Sequence, residues 1–174
     1  MVLEAILVVV AGLYAWAAVS DARTMIIPNV IPASIFGLYL VFQAAQWFLG
    51  LDPAAVPLLP SLAAGAAVSV IFVGLFALNW LGGGDVKLIG ASAFWAGTQH
   101  LLDFFVVMAI AGGLLSIFFL VKNKVEEKKT QDKQGKIGGS AKTKERKKSH
   151  IPYGIAISTG GLFTVNEIIT FLLA

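Results

Sequence analysis

The sequence predicts an all-α fold, a polytopic membrane bundle of six transmembrane helices that forms one membrane domain over residues 1–174. Three observations carry that expectation. Hydrophobic residues make up 57% of the chain and charged ones 13%, a balance foreign to water-soluble domains. Six stretches meet or approach the ~20 apolar residues a helix needs to cross a bilayer. All thirteen Lys and Arg residues fall in three breaks between those stretches.

The first stretch, Val2 to Ser20, opens with Glu4 where a secretory signal carries basic residues, so it reads as a retained helix. The second, Val30 to Leu49, has Pro28 and Pro32 at its start, where the missing N–H would have no partner in any case. Gly50-Leu51-Asp52-Pro53, with Pro57 and Pro60, reads as a loop before the third stretch, Ser61 to Trp80. The fourth spans Gly83 to Gln99 and the fifth Leu101 to Val121, so close together that the third, fourth and fifth are expected as antiparallel neighbours. The sixth runs from Pro152 to Leu173. Trp16, Trp47 and Trp80 lie near span ends, as interfacial anchors do.

Charge fixes the expected orientation. Arg23 follows the first span, Lys87 follows a glycine run, and the remaining basic residues crowd between Lys122 and Lys148. Six alternating spans bring these breaks to one face, leaving Glu4, Asp52 and Asp103 on the other. The positive-inside rule makes the basic face cytoplasmic and both termini extracytoplasmic, in a multi-pass protein of the cytoplasmic (inner) membrane. Residues 122–150, rich in Lys and Gly without an apolar stripe, read as a disordered cytoplasmic loop that fixes topology and meets lipid. Nothing there has the aromatic or fold context of a nucleic-acid partner. The chain has no cysteine and two distant histidines, which excludes thiolate chemistry and argues against a bound metal; no cofactor is expected.

Two aspartates interrupt the apolar chain at that cytoplasmic boundary. Asp21 begins the break Asp21-Ala22-Arg23-Thr24-Met25-Ile26-Ile27-Pro28-Asn29, and Asp85 ends the run Gly82-Gly83-Gly84-Asp85, followed by Val86-Lys87. Acids at a membrane edge are costly and mark functional sites by default. Each has a plainer reading: Asp85 as a helix N-cap, Asp21 as a partner of Arg23. Three glycines exceed what a cap needs, and their use would be to let an extended peptide approach a carboxylate. Counted from 86 to 99 the fourth span is fourteen residues, ~21 Å at helical rise, which sinks Asp85 about a turn below the surface.

The segment from Asp21 to Asn29, the Gly82-Gly83-Gly84-Asp85 run with Val86, Lys87 and Leu88, and Ile151-Pro152-Tyr153-Gly154 resemble the type IV prepilin peptidases, in order and spacing over nearly the whole chain. The resemblance implies a membrane aspartic endopeptidase that removes the short basic leader of prepilin-like precursors at the cytoplasmic face. It makes Asp21 and Asp85 the catalytic pair, with Gly82, Gly83, Gly84, Arg23, Lys87, Pro28, Asn29, Pro152, Tyr153 and Gly154 as supporting residues. Arg23 and Lys87 read more readily as topogenic anchors at the cytoplasmic interface than as residues that orient the site. Larger family members carry a cysteine-bearing cytoplasmic segment associated with N-methylation; this chain resembles the short, peptidase-only form of tight-adherence (Flp) pilus systems, so no methylation is expected.

Two adjacent carboxylates share a proton, one activating water while the other protonates the carbonyl or leaving amine. A helix N-terminus favours Asp85 as the base, and the C-terminal end of the first span disfavours an anion at Asp21. The alternative is a small transporter using Asp21, Asp85 and Glu167, inside the sixth span, as a proton relay. Transporters more often show inverted repeats, and none is visible in this sequence.

Overall fold

The computed structural model describes residues 2–50, 56–134 and 152–173. Every regular element among them is a helix: α1 (Val2–Thr24), α2 (Val30–Leu49), α3 (Leu58–Ala77), α4 (Gly83–Gln134) and α5 (Tyr153–Leu173). Five helices are thus long and apolar enough to cross a membrane, where six separate spans were expected.

The expected fourth and fifth spans belong to the one element α4, which is broken at Gly97 (φ 55°, ψ −163°). Asp85 and Ile89 line the same pocket as Met108 and Gly112. On a straight helix Asp85 and Gly112 would stand ~40 Å apart. The chain therefore reverses at Gly97, and its two arms, 83–96 and 98–134, lie side by side. Glycine is needed there twice over: the positive φ disfavours any side chain, and a Cβ would come within 2.8 Å of Ser61 Oγ.

Other boundaries move for local reasons. α1 continues past Ser20 to Thr24, because its polar end is closed by Met25 in the left-handed region, φ 53°. α3 starts at Leu58 instead of Ser61 and holds Pro60 in its first turn, where no helical bond is lost. The second arm of α4 stays helical to Gln134, into the stretch 122–150 read as a loop. The Lys, Glu and Gln residues of 122–134 are good helix formers. The rest of that loop, from 135 on, lies outside the described residues.

An aromatic cluster holds α2 to the first arm. Trp95 packs against Tyr39 and Phe42 with ring centroids 5.9 and 5.1 Å apart, and its indole N–H donates to the Ile35 carbonyl at 3.0 Å. α5 lies antiparallel to α1, Gly154 against Asp21 and Gly161 against Tyr14, and antiparallel to the second arm, Gly160 against Phe104. The buried core accordingly sits among α1, α2, α5 and the first arm of α4.

Candidate active site

Asp21 occupies the last turn of α1 and is buried, 6% exposed. The Met25 N–H returns to the Asp21 carbonyl at 2.9 Å, the Ser20 hydroxyl donates to the Ile26 carbonyl at 2.9 Å, and the Thr24 hydroxyl donates to the Ser20 carbonyl at 2.8 Å. These bonds turn the chain sharply and set Ile27 beside the aspartate. The Asp21 carboxylate then reaches across to α5: its Oδ2 accepts the Gly154 N–H at 2.7 Å. Pro152 stands immediately before α5 and has no side-chain oxygen to cap it, so Asp21 supplies a cap from another helix. A Cβ on Gly154 would lie 2.8 Å from both the carboxylate and Ile27 Cδ1, so any side chain there displaces one or the other.

Asp85 is held differently. The Val86 N–H bonds the Gly82 carbonyl at 3.1 Å, which makes Gly82 the cap residue and Asp85 the third residue of the helix, not its N-cap. Its carboxylate folds back over Gly82, where a Cβ would stand 3.2 Å from Oδ2. The three glycines therefore do different things. A Cβ at Gly83 would stand 3.3 Å from the Phe76 ring and one at Gly84 3.2 Å from Ile27 Cβ, while Gly82 alone of the three is exposed beside the carboxylate. Of the three, Gly82 is the exposed one beside the carboxylate, so open space belongs to it and not to the run as a whole.

Helix dipoles do not favour Asp85 over Asp21 as the base. Asp21 sits at the end of α1 but faces the N-terminus of α5, just as Asp85 faces that of its own arm. Each carboxylate meets positive partial charge.

Helical register relates the two. The Tyr14 hydroxyl donates to Ser92 Oγ at 2.9 Å, joining α1 to the antiparallel first arm. Asp21 lies seven residues beyond Tyr14 and Asp85 seven residues before Ser92. Seven residues are two turns less about 20° of rotation, so each aspartate stays on the face of its helix that carries the Tyr14–Ser92 contact. Asp21 and Asp85 thus share one level at one end of the bundle, with Gly154 in contact with Asp21.

The remaining expected residues distribute around this level. The Lys87 ammonium donates to Asn29 Oδ1 at 2.9 Å, so the two motif segments bond directly, and Asn29 makes no side-chain cap to α2. Arg23 is exposed in the last turn of α1, and Pro28 is half-buried just before α2. Tyr153, half exposed, shares with Asp85 a pocket of about 260 Å3 whose buried floor is Ile89, Ala156 and Ile157. Carbon lines this pocket almost throughout. Glu167 lies thirteen residues along α5 from Gly154, ~20 Å away along the axis, and takes no part in the site. Among the described residues no cluster of three or more His, Asp or Glu could hold a metal ion.

Sequence reasoning passed over Ile27, which packs against both Gly84 and Gly154, and the pair Tyr14 and Ser92. The pair had a legible signal, since each stands seven residues from an aspartate.

Residues 8–117, which include both aspartates, match the type IV leader peptidase family. A curated relative, the prepilin leader peptidase/N-methyltransferase of Dickeya chrysanthemi, is 29% identical over 101 residues. That match covers 58% of this chain and 36% of the relative, so the chain spans about a third of the length of the curated protein it matches. No solved structure matches.

Proposed function

The chain belongs to the type IV leader peptidase family, and on that premise we propose that it is a membrane aspartic endopeptidase acting on prepilin-like precursors. The observation that carries this reading is the placement of Asp21 and Asp85 at one level, each against a helix N-terminus. One carboxylate takes a proton from water as its oxygen attacks the scissile carbonyl. The other, protonated, gives its proton to the leaving amine, so the leader departs as a carboxylic acid and the mature protein gains a new N-terminus. Neither a metal nor a cofactor enters this scheme.

The reversal at Gly97 supports two crossings within α4, hence six in all, with both termini outside. The clustering of basic residues supports an inner-membrane protein whose aspartates face the cytoplasm. A precursor helix would arrive through the bilayer with its basic leader in the cytoplasm, and the carbon-lined pocket beside Asp85 would take an apolar part of it. The chain's lack of cysteine supports peptidase activity without N-methylation.

The test is co-expression with a prepilin and a gel readout of leader removal. Wild type is expected to cleave, and Asp21→Asn and Asp85→Asn to leave the precursor intact. Full cleavage by either variant removes the carboxylate-pair mechanism.

A further inference from the structure

Beneath the aspartates lies a second layer built in the same register. Tyr14, Ser92 and Gly161 each stand seven residues from Asp21, Asp85 and Gly154, on the same three helices. Two turns of helix put this layer ~10.5 Å deeper. Tyr14 is wholly buried; its hydroxyl donates to Ser92 Oγ at 2.9 Å, and Ser92 Oγ donates on to the Leu88 carbonyl at 2.7 Å. Gly161 leaves the Tyr14 ring the space that any Cβ would occupy.

A phenol hydroxyl in a buried, apolar setting is costly unless bonded, and phenylalanine would fill the same volume without that cost. The bond this hydroxyl makes joins the two helices that carry the aspartates. We propose that the Tyr14–Ser92 bond is a strut that sets the separation of Asp21 and Asp85, making both positioning residues for the peptidase reading on which this inference rests. The lever is short. A tilt of ~5° between α1 and the first arm about this contact moves the aspartate level by ~1 Å. Misplacement of that size at a reacting centre costs on the order of 100-fold in rate.

The strut has two signatures that simple stabilisation lacks. Tyr14 and Ser92 are buried and neither lines the pocket beside Asp85, so loss of the bond is expected to fall on kcat and leave KM in place. Two carboxylates that share a proton also have apparent pKa values split by their proximity, so a wider gap draws the two limbs of the pH–rate bell together.

The experiment uses the full chain in lipid vesicles with a prepilin substrate and compares wild type with Tyr14→Phe, Ser92→Ala, Ser92→Thr and the Tyr14→Phe/Ser92→Ala double variant. The expected result is a fall in kcat of roughly tenfold or more for the Phe and Ala variants, with KM within about twofold and narrowed limb spacing. The double variant should be no worse than the worse single one, and Ser92→Thr, which keeps the hydroxyl, should restore activity. Tyr14→Phe preserves ring volume and carries the test even where Ser92→Ala fails to insert. Unchanged kcat and limb spacing in Tyr14→Phe overturn the strut, whatever happens to melting temperature. Cleavage that survives Asp21→Asn overturns the peptidase pair and the strut together, so the two failures are told apart.

Discussion

Asp21 and Asp85 reach the same level by unlike means. Asp85 stands in the first turn of its own helix, folded over its own cap residue. Asp21 stands at the far end of α1 and takes its backbone donor from α5, 133 residues along the chain. One carboxylate is placed by local structure, the other by tertiary packing. The difference implies that the Asp21 carboxylate ties α1 to α5, whereas the Asp85 carboxylate lies over the cap residue of its own arm.

The largest effect should come from both acids and should not distinguish them. Asp21→Asn and Asp85→Asn are each expected to lower cleavage by ~10²–10⁴-fold, the range for loss of a general acid or base. Replacement by alanine should separate them in stability. Asp21→Ala removes the cap on α5 and is expected to cost ~1–2 kcal/mol, while Asp21→Asn keeps an accepting oxygen for the Gly154 N–H. Asp85→Ala forfeits a favourable charge at a helix start, ~0.3–1 kcal/mol. Thermal unfolding in one detergent measures the contrast, and equal losses for the two alanine variants would dissolve it.

The glycines sharpen the same contrast. A Cβ at Gly154 would stand 2.8 Å from both the Asp21 carboxylate and Ile27 Cδ1, so these buried side chains must shift. Gly154→Ala is therefore expected to lower cleavage by ~100-fold through displacement of the carboxylate. At Gly82 the contact is 3.2 Å, with a carboxylate at an exposed turn, so Gly82→Ala should cost roughly tenfold. Cleavage rates at saturating precursor give the comparison; a larger loss at Gly82 would mean that Asp85 is the more rigidly held acid.

Much of this was legible in the sequence, and the rest failed for identifiable reasons. Apolar run length located every helix, and the motif segments contained both aspartates and Gly154. The Gly97 reversal was misplaced to the polar stretch after it, because a single glycine between apolar arms carries no hydropathy signal. The role of Gly83 and Gly84 was misjudged because the residues that fill their space, Phe76 and Ile27, come from other segments. The cap that Asp21 gives to α5 follows from antiparallel packing across 133 residues, which no local pattern encodes.

The smallest effect is expected where the two motif segments meet in water. Lys87 and Asn29 share one exposed bond of 2.9 Å, a tie between the start of α2 and the arm that carries Asp85. An exposed hydrogen bond exchanges with solvent at little net gain, and Asp85 is already placed by its own helix turn. Asn29→Ala should then change cleavage by no more than about twofold, since local structure continues to hold the acid. A tenfold loss, with the pH–rate limbs moved, would show that Asp85 depends on tertiary support as Asp21 does. In that case the contrast between a locally placed and a remotely placed acid gives way to two acids held by one cross-linked surface.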